Sequence, residues 1–415
     1  MTVFQKVKFG DLYSTPSRNG VSKPSRIRGA GYPMVNMGEI FKYSRIDDSV
    51  DMELVPLSDI EMGNSFLENG DLLFARQSLV LEGAGKCSIF LGNNTKTTFE
   101  SHLIRARLDI NKTESKFYYY YFTSSPGKTK IRSIVNQVAA AGIRGSDLAK
   151  LVVDFPNLPT QTRIASVLST YDDLIENNEK RIKTLEEMAQ LLYTEWFVKF
   201  KFPGHEKVKM VESGTEYGMA PEGWEVKRLG EIITPQYGYT ESAVENDDFP
   251  KYLRGTDINK KSFIDWQTVP NCKIIDEDFK KYKVNKGDVF IIRMADPGKI
   301  GICEQEVKAV FASYLMRLNI KERLTPYYLY YFAIQKRYQG FVLGASGGTT
   351  RKSVNSQQVG AIDILIPKQE ILDIFEMKIG ILREELTKLI QQNNSLSKTR
   401  DLLIPQLVTG RRELK

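Results

Sequence analysis

The chain has 415 residues, which at about 150 residues per domain predicts two or three domains. Its composition, 41% hydrophobic and 26% charged, is typical of a folded globular protein. Lysine and arginine outnumber aspartate and glutamate by 58 to 51, and the net charge of +7 is compatible with a polyanionic partner. Three separated cysteines and only two histidines argue against a zinc site and a disulfide framework. We expect a cytoplasmic protein without a signal peptide or a membrane span.

The most informative feature is an internal repeat with a long period. Its offset drifts from 217 to 210 residues, as loop insertions in a duplicated unit produce. The matched segments are NGDLLFAR (69–76) with KGDVFIIR (286–293), FESHLIR (99–105) with FASYLMR (311–317), FYYYYF (117–122) with YYLYYF (327–332), and LVVDFP (151–156) with IDILIP (362–367). Four matches in one order indicate a duplication.

Each copy combines two kinds of sequence. Residues 1–156 and 221–367 carry short β-branched and aromatic runs separated by Gly, Pro, Asn and Asp, which predicts strands, turns and some helix. The regions that follow, 157–202 and 368–415, are helical in pattern. Glycines and mixed charge in 203–220 predict a linker. The expected fold class is α+β, with two repeated mixed domains, each followed by a long helix.

Apolar residues in both helical regions recur at alternating spacings of three and four, the pattern of a coiled-coil seam. Pro405 should kink or fray the last turn of the second region. The seam positions are Ile164, Leu168, Tyr171, Ile175, Asn178, Ile182, Leu185, Ala189, Leu192 and Trp196, and then Ile379, Leu382, Leu386, Leu389, Asn393, Leu396, Arg400, Leu403 and Leu407. We expect the two helices to pair antiparallel.

One polar residue interrupts each seam, Asn178 in the first and Asn393 in the second. A buried asparagine often fixes the register of a coiled coil at some cost in stability. If these two oppose each other, paired positions add up to 571, and Leu185 meets Leu386. Alternatively, each asparagine lies at the edge of the stripe and faces solvent.

Signatures of catalysis are missing from the sequence. GAGK (83–86) resembles the end of a phosphate loop, but Val80 and Cys87 stand where that motif needs glycine and a hydroxyl residue. No segment resembles a flipped-adenine motif or a nucleophile elbow. His102 is expected to be a strand residue and His205 a solvated linker residue. We therefore expect a protein of recognition and assembly, with no catalytic residue and no metal site.

Three long segments resemble a known family, the specificity subunits of type I restriction-modification systems. They are PNLPTQTRIASVLSTYDDLIENNEKRIKTLEEMAQLLYTEWFVKF (156–200), YGMAPEGWEVKRLGEI (217–232) and LLIPQLVTGRREL (402–414). The resemblance implies two target-recognition domains, 1–156 and 221–367, alternating with two helical regions. It covers nearly the whole chain.

The resemblance also implies the function. Members of the family are non-catalytic readers of double-stranded DNA in the prokaryotic cytoplasm. They hold two copies of an adenine methyltransferase subunit and, in the restriction complex, ATP-driven restriction subunits. No cofactor is expected on this chain, because S-adenosylmethionine, ATP and magnesium belong to the partners. Since the two copies differ in their loops, we expect an asymmetric target in two parts, whose spacing depends on helix length.

DNA contacts should come from loops that combine cations and amides with glycine. Arginine pairs with guanine, Asn or Gln pairs with adenine, and lysine neutralises phosphate. The candidates are Arg76, Gln77, Lys86 and Arg144 in the first copy, and Tyr237, Tyr239, Arg293, Lys299, Thr350, Arg351 and Lys352 in the second. Arg76 and Arg293 could instead be ion-pair anchors of the fold. Arg105 and Arg317 are expected to be structural.

Three points remain open at this stage. The tyrosine runs could stack on unpaired bases, but at helical spacing they favour core packing. The apolar residues Val167, Leu174, Leu191, Phe197 and Phe375 lie off the seams and are expected to be partner surface, unless the recognition domains cover them. The alternative functions are a self-contained DNA methyltransferase or nuclease with a divergent site, and a coiled-coil adaptor that binds no DNA.

Overall fold

The computed structural model describes residues 4–137, 141–259, 261–346 and 352–414. It divides the chain into two compact units. The first comprises Met1–Glu176 with Asn393–Lys415, and the second comprises Asn177–Gln392. Each unit therefore contains one copy of the repeat and a part of each long helix.

The first unit is built on a five-stranded sheet. Its strands, in spatial order, are Tyr13–Asn19, Leu103–Leu108, Leu72–Ala75, Cys87–Phe90 and Arg45–Ile46. All neighbours are antiparallel except the last pair. Smaller pairings join Gln5–Lys8 to Val152–Phe155, Tyr32–Val35 to Glu53–Val55 and Thr98–Phe99, and Ala141–Gly142 to Asn136–Gln137 and Gln77–Ser78.

The second unit repeats this design with a four-stranded antiparallel sheet. Its strands, in spatial order, are Ile233–Tyr237, Leu315–Ile320, Val289–Ile292 and Ile300–Ile302. The smaller pairings join Met210–Glu212 to Met219–Pro221, Glu225–Arg228 to Asp363–Ile366, and Lys251–Leu253 to Ala309–Phe311. The strands of the first two repeated segments are neighbours in both sheets, Leu72–Ala75 beside Leu103–Leu108 and Val289–Ile292 beside Leu315–Ile320.

Short helices cover the sheets. In the first unit they are Met37–Lys42, Asp59–Met62, Ser115–Thr123, Ser125–Arg132 and Gly145–Lys150. In the second they are Leu229–Ile232, Gly255–Ile258, Asp276–Tyr282, Pro326–Ala333, Lys336–Ala345 and Ser356–Gly360. The tyrosine runs form the helices Ser115–Thr123 and Pro326–Ala333, and nearly every aromatic ring in them is buried. These rings therefore pack the core, and a buried ring cannot stack on a base.

The two predicted long helices run from Leu158 to Tyr193 and from Gln369 to Val408, and a π-helical turn, Thr194–Val198, extends the first. In the first unit, Leu168 and Leu403 belong to one apolar cluster. In the second unit, Leu185 and Leu386 share another. Both pairs add up to 571, the sum expected if Asn178 and Asn393 oppose each other, and every seam position is buried or half-buried.

The structure corrects two expectations about these helices. The second helix continues through Pro405 to Val408, so the last turn is not frayed at the proline, whereas a kink there stays a prediction. Phe197 and Phe375 are not partner surface. They are 5% and 0% exposed and pack edge to face with ring centroids 4.8 Å apart. Tyr328 of the second recognition domain covers Phe197 at the same distance.

Other off-seam apolar residues remain in contact with solvent. Leu174 is 46% exposed and Leu191 is 58% exposed, whereas Val167 is half-buried. The segment 203–220 includes a short turn, His205–Lys207, and nearly all of a hairpin whose strands are Met210–Glu212 and Met219–Pro221. None of the helices in the described part of the chain is long and apolar enough to cross a membrane.

Candidate nucleic-acid interface

Arg76 occupies a fixed backbone position at the end of the strand Leu72–Ala75. Its N–H donates to the carbonyl of His102 at 2.7 Å, and its carbonyl accepts from Ile143 N–H at 2.9 Å. The chain therefore leaves the sheet between two neighbouring loops. Arg76 is half-buried, whereas the adjacent Gln77 is exposed.

Arg293 occupies the same position in the second unit. Its N–H donates to the carbonyl of Tyr314 at 3.0 Å, and its carbonyl accepts from Val354 N–H at 2.8 Å. These bonds repeat those of Arg76, so the two arginines are structurally equivalent. Neither forms an ion pair within the described residues, whereas the buried Arg317 pairs with Asp288 at 2.7 Å. Arg317 is thus a structural residue, as expected.

A glycine turn follows each arginine and returns the chain to the sheet. Gly85 has a φ of 75° and donates its N–H to the carbonyl of Ala75 at 2.8 Å. Gly298 has a φ of 92° and donates to the carbonyl of Ile292 at 3.0 Å. Positive φ favours glycine. The positive φ therefore explains why a glycine stands at the same place in GAGK (83–86) and DPGK (296–299).

The second unit places several predicted residues together. The guanidinium carbon of Arg293 lies 4.5 Å from the ring centroid of Tyr237, a cation–π contact. The Tyr237 hydroxyl accepts from Ser356 N–H at 3.2 Å, which fixes the ring. The carbonyl of Lys352 accepts from Ala295 N–H at 3.0 Å, so Lys352 lies beside the loop after Arg293. Thr350 and Arg351 lie outside the described residues.

The cations of this loop are accessible to a ligand. Lys299 and Lys352 are both exposed. The Nε atom of Arg293 is buried and has no hydrogen-bond acceptor within the described residues. An arginine stacked on a tyrosine keeps its planar donors in one orientation, which is what bidentate recognition of guanine requires.

Tyr239 differs from Tyr237 although only Gly238 separates them. Its ring packs against Tyr282 with centroids 5.4 Å apart, and its carbonyl accepts from the Tyr252 hydroxyl at 2.9 Å. Partial burial raises the pKa of Tyr239. Only glycine fits at position 238, because a Cβ there would lie 2.3 Å from the carbonyl oxygen of Phe311. Tyr239 is thus engaged in packing, and its DNA contact stays a prediction.

The first unit also gathers its predicted residues around the arginine. Gln77–Ser78 pairs with Ala141–Gly142, and the exposed Arg144 follows Ile143 directly. Lys86 is half-buried. Its amine donates to the carbonyl of Phe41 at 2.7 Å and lies 4.9 Å from the centre of that ring. Burial, and then the charge of Lys128, lowers the pKa of Lys86. Its amine is therefore more engaged than that of Lys299.

Sequence reasoning missed one position at this site. His102 was expected to be a strand residue, but it lies in a turn before the strand Leu103–Leu108, exposed, with Nδ1 3.6 Å from Glu100. Tyr314 is its equivalent and is 59% exposed. The signal was present in the match of FESHLIR with FASYLMR, where an aromatic polar residue recurs one step before the buried strand.

The asparagines of the long helices each contact the opposite helix. In the second unit the amide of Asn178 donates to Gln392 at 3.4 Å. In the first unit the amide of Asn393 donates to the carbonyl of Ile175 at 3.3 Å. Asn178 is buried and Asn393 is half-buried. Their role in fixing the register stays a prediction.

Residues of the kinds that bind metals do not cluster in the described part of the chain. No group of three or more His, Cys, Asp or Glu side chains there could hold a metal ion. Cys87, Cys272 and Cys303 are buried and unbridged. Burial raises the pKa of each of the three thiols.

Comparisons with known proteins identify the family of this chain. A family model described as the type I restriction modification DNA specificity domain matches residues 4–187 and 221–392. The MjaIX specificity subunit of Methanocaldococcus jannaschii is 28% identical over 309 residues, 71% of this chain and 68% of that protein. The putative MjaX specificity subunit of the same organism is 23% identical over 404 residues, 96% of this chain and 91% of that protein.

A solved structure shares the fold. The type I restriction-modification S subunit from M. genitalium has a TM-score of 0.62 and 16% identity, with 99% of this chain and 97% of that chain covered. Two equivalent domains and two long helices define a two-domain recognition protein, and the specificity subunits that it resembles are non-catalytic. The chain belongs to the family of type I restriction-modification specificity subunits, with two target-recognition domains.

Proposed function

We propose that this chain reads an asymmetric DNA target in two parts, one part with each recognition domain. The observation that carries the proposal is the equivalent backbone position of Arg76 and Arg293, which have different side chains beside them. Gln77 and His102 accompany the first arginine, whereas Tyr237 and Tyr314 accompany the second. Equal frames with unequal side chains fit two half-sites of different sequence.

The chemistry of each residue suggests its role. Arg76 and Arg293 offer planar donors to guanine, and Gln77 offers an amide to adenine. Lys299, Lys352 and Arg144 are exposed cations suited to phosphate, as Thr350 and Arg351 are by residue type. Lys86 is the weakest of the proposed contacts because its amine already has an acceptor.

We further propose that the chain holds two adenine methyltransferase subunits and, where they are present, restriction subunits. Membership in the family supports this role. The long helices also keep apolar side chains in solvent, and a partner would cover them. The most exposed of these are Leu191, Met377, Ile381 and Leu402. S-adenosylmethionine and ATP with magnesium would bind to the partners. The prokaryotic cytoplasm remains our expected location.

The test is a reconstituted complex of the full chain with its methyltransferase subunit. We expect methylation of adenines in duplexes that share one split sequence, and none from either protein alone. Arg76→Ala should relax selection in one half-site and Arg293→Ala in the other, each by about 1–3 kcal/mol, or roughly 5- to 150-fold.

Arg323 provides the matched control for the two arginine variants. Arg323 is an exposed arginine beyond the opposite end of the strand Leu315–Ile320, paired with Glu225 at 2.8 Å, and Arg323→Ala should leave selection unchanged. Methyl transfer by the chain alone would favour a self-contained enzyme. Failure of the complex to bind any duplex, at low salt as well as high, would favour a coiled-coil adaptor.

A further inference from the structure

The loop after Gln77 carries an apolar tip that the proposed function does not yet explain. Leu79 is 99% exposed, Val80 is 58% exposed and Leu81 is 39% exposed. A single exposed apolar side chain is ordinary, but three consecutive ones in water are not. The matching turn of the second domain, between Arg293 and Lys299, is four residues shorter and reads MADPG.

This tip is held in one conformation. The N–H of Val80 donates to the Ser78 hydroxyl at 3.2 Å, and its carbonyl accepts from Gly83 at 3.1 Å. Ser78 is itself paired with Ala141. A Cβ on Gly83 would lie 2.2 Å from the Ser78 hydroxyl, so only glycine allows this packing. These contacts define the path of the loop backbone, and Leu79 lies exposed along that path.

The surroundings of the tip identify the ligand. Gln77, two residues away, is an exposed amide, and Arg76 and Arg144 lie at the same end of the sheet. Two extended residues span about 7 Å, which is two base-pair steps. An amide that reads adenine does so in the major groove, and in that groove the thymine of an A·T pair presents its C5 methyl group.

From this placement, and resting on the proposed function, we propose that Leu79 contacts the methyl group of a thymine in the first half-site. Gln77 and Leu79 then read positions about two base-pair steps apart in the same groove, the first by hydrogen bonds and the second by apolar contact. The turn between Arg293 and Lys299 in the second domain has no equivalent tip, so replacing Leu79 should not change recognition of thymine in the second half-site.

The test replaces each thymine of the established target, one at a time, with deoxyuridine, which lacks only the methyl group. Binding of the chain with its methyltransferase subunit is measured by fluorescence anisotropy. For the wild-type chain, deoxyuridine at one position of the first half-site should weaken binding about fourfold, since one buried methyl group contributes about 0.8 kcal/mol. Leu79→Ala should weaken binding to the thymine duplex and show no further loss with uracil at that position.

Ile110 provides the matched control. It is 78% exposed and follows the opposite end of the strand Leu103–Leu108, so Ile110→Ala should bind both duplexes as the wild type does. The inference is overturned if the first half-site contains no A·T pair or if Leu79→Ala binds the thymine duplex as tightly as the wild type does. It is also overturned if replacing thymine with deoxyuridine weakens binding of Leu79→Ala as much as it weakens binding of the wild type. If the wild-type complex selects no sequence at all, the proposed function fails, and the thymine contact fails with it.

Discussion

A buried ion pair joins the second long helix to its recognition domain, and removing one partner gives a sharp prediction. The Arg383 guanidinium donates to both carboxylate oxygens of Glu304 at 2.6 Å, and to the carbonyl of Ser262 at 2.8 Å. The two charged side chains are only 1% and 7% exposed. Burial acts to lower the pKa of Arg383, but the hydrogen bonds and charge of Glu304 outweigh it and raise the pKa overall, so the guanidinium stays charged in the folded protein.

Arg383→Met should destabilise the second unit by about 3–5 kcal/mol, because it leaves the Glu304 carboxylate buried without its cation. The Tyr327 hydroxyl, which donates to Glu304 at 3.2 Å, offsets a small part of this loss. Replacing both charges, Arg383→Met with Glu304→Leu, should recover most of the stability, since an apolar pair needs no partner. The two single effects should therefore be far from additive.

The assay is hydrogen exchange resolved by region, because a chain of two units does not unfold in one step. Amides of the strand Val289–Ile292 report on the second unit, and those of Leu72–Ala75 on the first. We expect the opening free energy to fall only in the second unit for Arg383→Met. A loss below about 1 kcal/mol, or a double variant as unstable as the two singles summed, would refute the role of this pair.

Three further predictions concern DNA binding and pH. Lys299→Ala should lower the slope of log affinity against log salt by about 0.9, the value for one phosphate contact, with little change in selectivity; an unchanged slope would remove Lys299 from the interface. Arg293→Lys should lose nearly as much selectivity between duplexes as Arg293→Ala does, because an ammonium beside Tyr237 cannot form a bidentate pair with guanine. A lysine variant that selects duplexes as well as the wild type would contradict this. Burial raises the pKa of Glu376 from 4.5 to about 6, so the folded state favours the neutral acid. The contribution of this group to the free energy of unfolding should therefore be complete below pH 4.5 and be lost as the pH rises through 6. Glu376→Gln should therefore stabilise the protein at pH 8 by up to about 2 kcal/mol and not at pH 4, as denaturant midpoints at the two pH values would show.

Much of the architecture follows from pattern alone. The heptad spacing predicts both long helices and their pairing, because each apolar stripe must be buried against another. The spacing alone permits shifts of seven residues, and only the opposition of Asn178 and Asn393 selects the register in which paired positions add up to 571. The repeated segments predict two equivalent domains. In contrast, Phe197 and Phe375 were expected on the surface, since periodicity shows which face they share but not that Tyr328 covers it.

The candidate site was predictable in part. Arg76 and Arg293 could be found because they recur beside a glycine turn. The engagement of Lys86 by Phe41 and the packing of Tyr239 on Tyr282 could not, because both depend on residues that are distant in sequence. Long-range contacts of this kind decide which members of a polar loop remain free for a ligand.

The adenine methylome of a host that expresses the methyltransferase subunit, with and without this chain, tests the central claim most directly. We predict one asymmetric motif in two parts, present only with the chain, in which Arg76→Ala relaxes one part and Arg293→Ala relaxes the other. A motif that appears without the chain, or an intact complex that leaves no motif, would contradict the assignment of this protein as the reader.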